Sequence, residues 1–160
     1  MASELHTYTV SVYTTPMSLP LSFTCHSWVE VSHNDHCERF DFWAYPGFKT
    51  ANANHGYVYK DIFPNHLGTT VSPFVRVDNI AKRQTGKIVS TKTGRAGSDV
   101  QKLYTKIKAS AFLYPLHSTY NMILGPNCNS YTQWLLQLVP EVGLTLPWYA
   151  WGKNYYHRPR

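Results

Sequence analysis

The chain has 160 residues, 43% of them hydrophobic and 15% aromatic, a composition that can bury a core and excludes an intrinsically disordered segment. Three cysteines, an odd number in a chain this long, argue against a disulfide framework and fit a reducing compartment; with no apolar stretch near the roughly 18 residues of a membrane span and no visible export signal, no transmembrane segment is expected and the predicted location is cytoplasmic. Lys and Arg outnumber Asp and Glu by 15 to 9, and nine of those cations against two acids fall in residues 76–108, either a solvated face or a surface for an acidic partner.

His6 to Tyr13 alternates β-branched and polar residues and predicts a strand with Tyr8, Val10 and Val12 on one face. Pro16 and Pro20 bracket a loop. Phe23 to Ser32 predicts the next strand, with His26, Trp28 and Glu30 on one face and Cys25, Ser27, Val29 and Val31 on the other. Asn34-Asp35 has turn chemistry and Glu38 to Tyr45 is the return strand. A turn centred there pairs Glu30 with Arg39, Trp28 with Asp41 and His26 with Trp43. It also sets Asp41 diagonal to His26 on one face, about 7–8 Å apart along the backbone and within reach of a side-chain hydrogen bond.

Pro46-Gly47 opens an irregular stretch to about Thr69, rich in Asn, Gly, His and aromatic residues. Thr70 to Val77 and Ile88 to Thr91 predict short strands flanking a basic loop from Ala81 to Lys87, and Gly94-Arg95-Ala96-Gly97 predicts a break. Ser98-Asp99-Val100-Gln101 then reads as a capping box for a helix with Val100, Leu103, Tyr104, Ile107 and Ala111 buried and Lys102, Lys106 and Lys108 mainly off that stripe. Tyr114-Pro115 ends it.

The run from Gly125 to Leu136 carries the chemistry. Pro126 suits helix entry, Asn127 is a preferred N-cap, and Tyr131, Trp134, Leu135 and Leu138 make an amphipathic pattern that Val139-Pro140 terminates. Cys128 therefore sits in a helix's first turn, where free N–H groups and the positive end of the macrodipole favour a thiolate and can hold an oxyanion. The structural alternative is a small buried cysteine. A cysteine nucleophile needs a base and a third group to orient that base. Of eight histidines, His26 is favoured because it lies mid-strand, while the others fall in turns, loops, the tail or the chain's opening. Spacing alone does not fix its pairing with Cys128. Cys25, His26, His33, His36 and Cys37 are soft ligands close in sequence, but their spacing matches no standard zinc pattern, and no metal or cofactor is expected.

Phe23-Thr24-Cys25-His26-Ser27-Trp28-Val29, followed some hundred residues later by Asn127-Cys128-Asn129-Ser130-Tyr131, resembles the circularly permuted papain-like thiol enzymes, in which a strand histidine precedes a helix-start cysteine. The local match is to PPPDE-type peptidases, with lecithin:retinol acyltransferase-like and NlpC-type proteins as relatives; Trp28 stands where the PPPDE pattern has glycine. The segments Gly125 to Tyr131 and Leu146 to Tyr155 also resemble uncharacterised bacterial proteins with a Gly-Pro-Asn-x-Asn-Thr-Phe element.

The resemblance implies an α+β fold, an antiparallel sheet packed against a few helices in permuted papain-like order, as a single domain over residues 1–160. It implies a cysteine hydrolase acting on amide or isopeptide bonds of a peptide, protein or acyl-amide substrate, with Cys128 as nucleophile and His26 as base. The hairpin register adds Asp41 as orienter. Asn127 and Asn129 are expected to brace the helix start and, with Trp28 and Trp43, are candidates for substrate contacts. A thiol acyltransferase and a catalytically silent binding module using the basic segment are the alternatives.

Overall fold

The computed structural model describes residues 6–17, 22–46, 65–66, 69–79, 86–116 and 125–155. The alternating N-terminal segment forms β1 (Thr7–Pro16), and the hairpin is built from β2 (Cys25–His33) and β3 (His36–Pro46). Asn34-Asp35 closes the hairpin, with Asn34 taking the left-handed φ of 53° that asparagine tolerates. The register is the expected one: Val29 faces Phe40, Glu30 faces Arg39 and His33 faces His36.

β4 (Asn65–His66), β5 (Thr69–Asn79) and β6 (Lys87–Arg95) complete an antiparallel sheet in the order β4-β5-β3-β2-β1-β6. The irregular stretch read from Pro46 to Thr69 otherwise lies outside the described residues, as do Lys82 and Arg83 of the basic loop. β6 is longer than expected, for it runs through Gly94 and Arg95, where a break was predicted. The reason is packing: a Cβ on Gly94 would collide with the Ser98 hydroxyl and come within 2.8 Å of the Val100 Cβ. The glycine lets the start of a helix press on the strand without ending it.

That helix, α1 (Asp99–Ser110), is capped by Ser98, whose side chain accepts from the Gln101 N–H. The reciprocal half of the expected box is shifted by one residue, because the Gln101 side chain accepts from the Gly97 N–H at 2.6 Å. Val100, Leu103 and Ile107 are buried, while Lys102 and Lys108 lie on the exposed side in ion pairs with Asp99 (2.8 Å) and Glu38 (2.7 Å). This is the solvated-face arrangement for that part of the basic segment. Among the described residues no helix is long and apolar enough to cross a membrane.

The second helix, α2 (Cys128–Leu136), departs from the amphipathic expectation: all nine of its residues are buried. Tyr131, Leu135 and Leu136 join Val10, Val12, Val29, Val31, Phe40 and Phe42 of the sheet in one core. Leu144, Leu146 and Ala150 from the C-terminal segment enter the same core. The tail thus covers a face that an isolated reading of the helix leaves to solvent. Two of its polar side chains have partners, Ser130 accepting from the Tyr114 hydroxyl (3.1 Å) and Tyr131 donating to the Ala111 carbonyl (3.0 Å), while the buried Thr132 hydroxyl has none among the described residues.

Candidate active site

The N-cap fixes the position of the thiol. The Asn127 side-chain oxygen accepts from the N–H groups of Asn129 (3.0 Å) and Ser130 (3.1 Å), and the Ser130 hydroxyl accepts from the Asn127 N–H (2.6 Å), a complete capping box. The cap leaves the Cys128 N–H without a partner among the described residues. Cys128 is 4% exposed.

His26 lies near the start of β2, where the ladder to β3 has already opened, since its first pair is Val29 with Phe40. Asp41, on the adjoining strand, reaches it: Nε2 is 2.9 Å from Oδ1 and 3.1 Å from Oδ2. The Trp43 ring packs on the imidazole with centroids 4.2 Å apart. The Cys128 side chain is near enough to bear on the His26 imidazole electrostatically, although no hydrogen bond joins the two among the described residues. With Nε2 held by Asp41, Nδ1 is the ring nitrogen left for sulfur. Burial of His26 opposes its charge, but the Asp41 carboxylate and the neighbouring sulfur outweigh burial and raise its pKa. Burial likewise opposes ionisation of Asp41, and the His26 and Arg39 side chains overcome it, holding the carboxyl below its usual range. An imidazole set between a carboxylate and a thiol can take the thiol proton and keep the resulting cation.

Arg39 is the member that the sequence did not reveal. It stands opposite Glu30 in the register, as expected, yet its Nε and Nη2 donate to Asp41 Oδ2 at 3.2 and 2.6 Å. Its guanidinium lies 3.9 Å over the Trp28 ring. The available signal was strand parity, because residues 39 and 41 of one strand share a face. Trp28, a candidate for substrate contact, is buried, stacked on Tyr13 with centroids 5.5 Å apart and donating through Nε1 to Glu30 at 3.0 Å. It supports Arg39 from beneath.

Asn127 and Asn129 are buried braces. The Asn129 amide nitrogen donates to the carbonyls of Cys25 (3.0 Å) and Trp151 (2.9 Å), which turns its oxygen towards the Cys128 sulfur at 3.8 Å. Asn127 also donates to the Trp151 carbonyl (3.1 Å), so the tail, β2 and the cysteine helix are tied at one point. Cys25 has a thiol pushed up to about 12, by burial first and then by Cys128, with Lys153 pulling the other way. No group of three or more His, Cys, Asp or Glu is placed to hold a metal among the described residues.

Gly152 makes this junction, with φ at +84° and an added Cβ only 2.5 Å from the Asn127 amide nitrogen. Gly152→Ala combines left-handed strain with displacement of the cap, and a loss of about 2–3 kcal/mol in urea unfolding is expected. A change inside about 0.5 kcal/mol, the scale of an ordinary surface substitution, would show that the junction tolerates a side chain.

An α+β fold with a buried imidazole–carboxylate pair and a buried thiol at a helix start is what the structure shows. By sequence the chain belongs to DUF3750, a family of proteins of unknown function, which matches residues 7–155. Neither curated proteins nor solved structures yield a match to it.

Proposed function

We propose that the protein is a cysteine hydrolase of the permuted papain-like kind, cleaving amide or isopeptide bonds through a thioester on Cys128. The observation that supports this reading is His26 held by Asp41, with the Cys128 sulfur near enough to help raise the imidazole's pKa. With its pKa raised to about 10, His26 already carries the proton as an imidazolium at neutral pH, and the Cys128 sulfur attacks the carbonyl carbon beside that cation, which Asp41 stabilises. The Cys128 N–H, left over by the cap, is placed to donate to the oxyanion. Collapse of the tetrahedral species passes the proton from His26 to the leaving amine. Water, deprotonated by the now neutral imidazole, then attacks the thioester and frees the acid and the thiol.

The test is reaction with p-nitrophenyl acetate, followed by intact-mass and peptide mass spectrometry. An acetyl group on Cys128 that is labile to hydroxylamine, with continued release of nitrophenol beyond one equivalent, is the expected result. Absence of acylation, or an adduct at Cys128 that never turns over, overturns the hydrolase reading. The burial of Cys128 and the Asn129 oxygen turned to its sulfur favour a second reading, a catalytically silent binding module, and that reading predicts the negative outcome.

A further inference from the structure

A groove of about 420 Å³ lies beside the start of β2. That volume falls within the range of small-ligand and peptide side-chain sites. Cys25 forms part of its lining, and the Cys25 carbonyl accepts from Asn129, the residue after Cys128, so the groove adjoins the candidate dyad. Phe23, Trp148 and Tyr149 supply aromatic walls. Phe23 is 50% exposed and Trp148 84% exposed. Large aromatic side chains left this open next to a reactive centre are the usual anchors of a bound partner.

The walls are also rigidly tied. The Thr24 hydroxyl donates to the Tyr149 carbonyl at 3.0 Å and accepts from the Trp151 N–H at 3.3 Å, fixing the aromatic tail to β2. The Phe23 and Trp151 rings pack with centroids 4.7 Å apart. Among the described residues the groove's one lining cation is Lys87, at the exposed start of β6. Lys102 and Lys108 are matched to carboxylates, whereas Lys87 has no ion-pair partner among the described residues. The groove therefore combines an aromatic wall with a positive charge that no described carboxylate neutralises. Its complement is a group that is both apolar and anionic.

We propose that this groove takes the segment of a peptide substrate next to the scissile bond, with an acidic side chain on Lys87 and an apolar one against Trp148 and Tyr149. This rests on the hydrolase reading for the word substrate, but the binding itself does not require turnover. The experiment uses the full chain carrying Cys128→Ala, which has no nucleophile, titrated by NMR with acetyl-Phe-Glu-Phe-amide and with its Gln analogue. The Glu peptide is expected to bind about fivefold more tightly, with shifts at Thr24, Cys25 and Lys87, as suits a partly solvated ion pair. Lys87→Glu should abolish or reverse that preference, and Trp148→Ala should weaken both peptides alike. Equal affinity of the two peptides, a preference indifferent to Lys87→Glu, or shifts confined to other surfaces overturn the proposal. Selective binding here with no acylation of Cys128 in the parent protein would instead leave the groove standing and remove the hydrolase reading.

Discussion

His26→Ala is expected to slow acylation of Cys128 by p-nitrophenyl acetate at pH 7 by about 10²–10⁴-fold, the range of a lost general base, and Cys128→Ala to abolish it. The imidazole is the side chain placed between the thiol and a carboxylate, so its removal leaves the sulfur with no strong proton acceptor. Cys25→Ala and Cys37→Ala serve as internal controls. The Cys25 thiol, pushed up to about 12 by burial and by Cys128, stays protonated at this pH and contributes no nucleophile. Rates are read as nitrophenol release, with circular dichroism on every variant to establish folding. Similar losses in all four variants would sink the assignment and indicate a general effect on stability.

The second large effect is on stability. Asp41→Ala removes the carboxylate that both His26 and Arg39 face, leaving a guanidinium in a buried site without it. Breaking a buried pair from one side costs about 3–5 kcal/mol, which for a chain of this size lowers Tm by about 6–20 °C. Scanning calorimetry measures it. The double variant Arg39→Met with Asp41→Leu removes both charges and should recover most of the loss, because the buried cation that has lost the Asp41 carboxylate is removed with it. A single variant as stable as the parent would mean that Arg39 and His26 find other anionic partners.

The same network sets a pH profile. His26 has its pKa raised from 6.5 to about 10, so its pairing stabilises the fold in full below 6.5 and is lost as pH rises towards 10. Asp41 is lowered from 3.8, so its contribution is present above that value and disappears as pH falls through its folded-state pKa. Stability is expected to be greatest between about pH 4 and 6.5 and to decline on both sides. Asp41→Ala should flatten the alkaline limb; a limb of unchanged slope would assign it to other groups.

The juxtaposition of His26 and Asp41 was legible in the sequence because it depends on two local facts, a turn at Asn34-Asp35 and a side-chain period of two. The helix start was legible for a similar reason, since Asn127 and Pro126 precede an apolar pattern. What stayed hidden depends on tertiary neighbours. Arg39 was read across the ladder towards Glu30, although it also reaches along its own strand to Asp41, and only the burial of both groups makes that contact significant. Gly94 looked like a break because a glycine needed for close helix packing has the same signature as one needed for a turn. The helix expected to be amphipathic is buried along its whole length, and Leu144, Leu146 and Ala150 of the C-terminal segment belong to the same core.

The site's components also differ in when they become available. His26 and Asp41 lie 15 residues apart in one hairpin, whereas the Asn129 side chain meets the Cys25 carbonyl across 104 residues, and the Trp151 carbonyl of the tail closes the junction last. During synthesis the imidazole and carboxylate are therefore made well before the sulfur they serve, and the sulfur emerges before the carbonyl that pins its helix. The long-range closure carries the larger loop entropy and belongs to the late part of folding. Electrophile labelling of Cys128 thus doubles as a clock for maturation: a ribosome-bound chain stalled before residue 151 would carry a complete set of reactive groups and still lack the geometry that joins them.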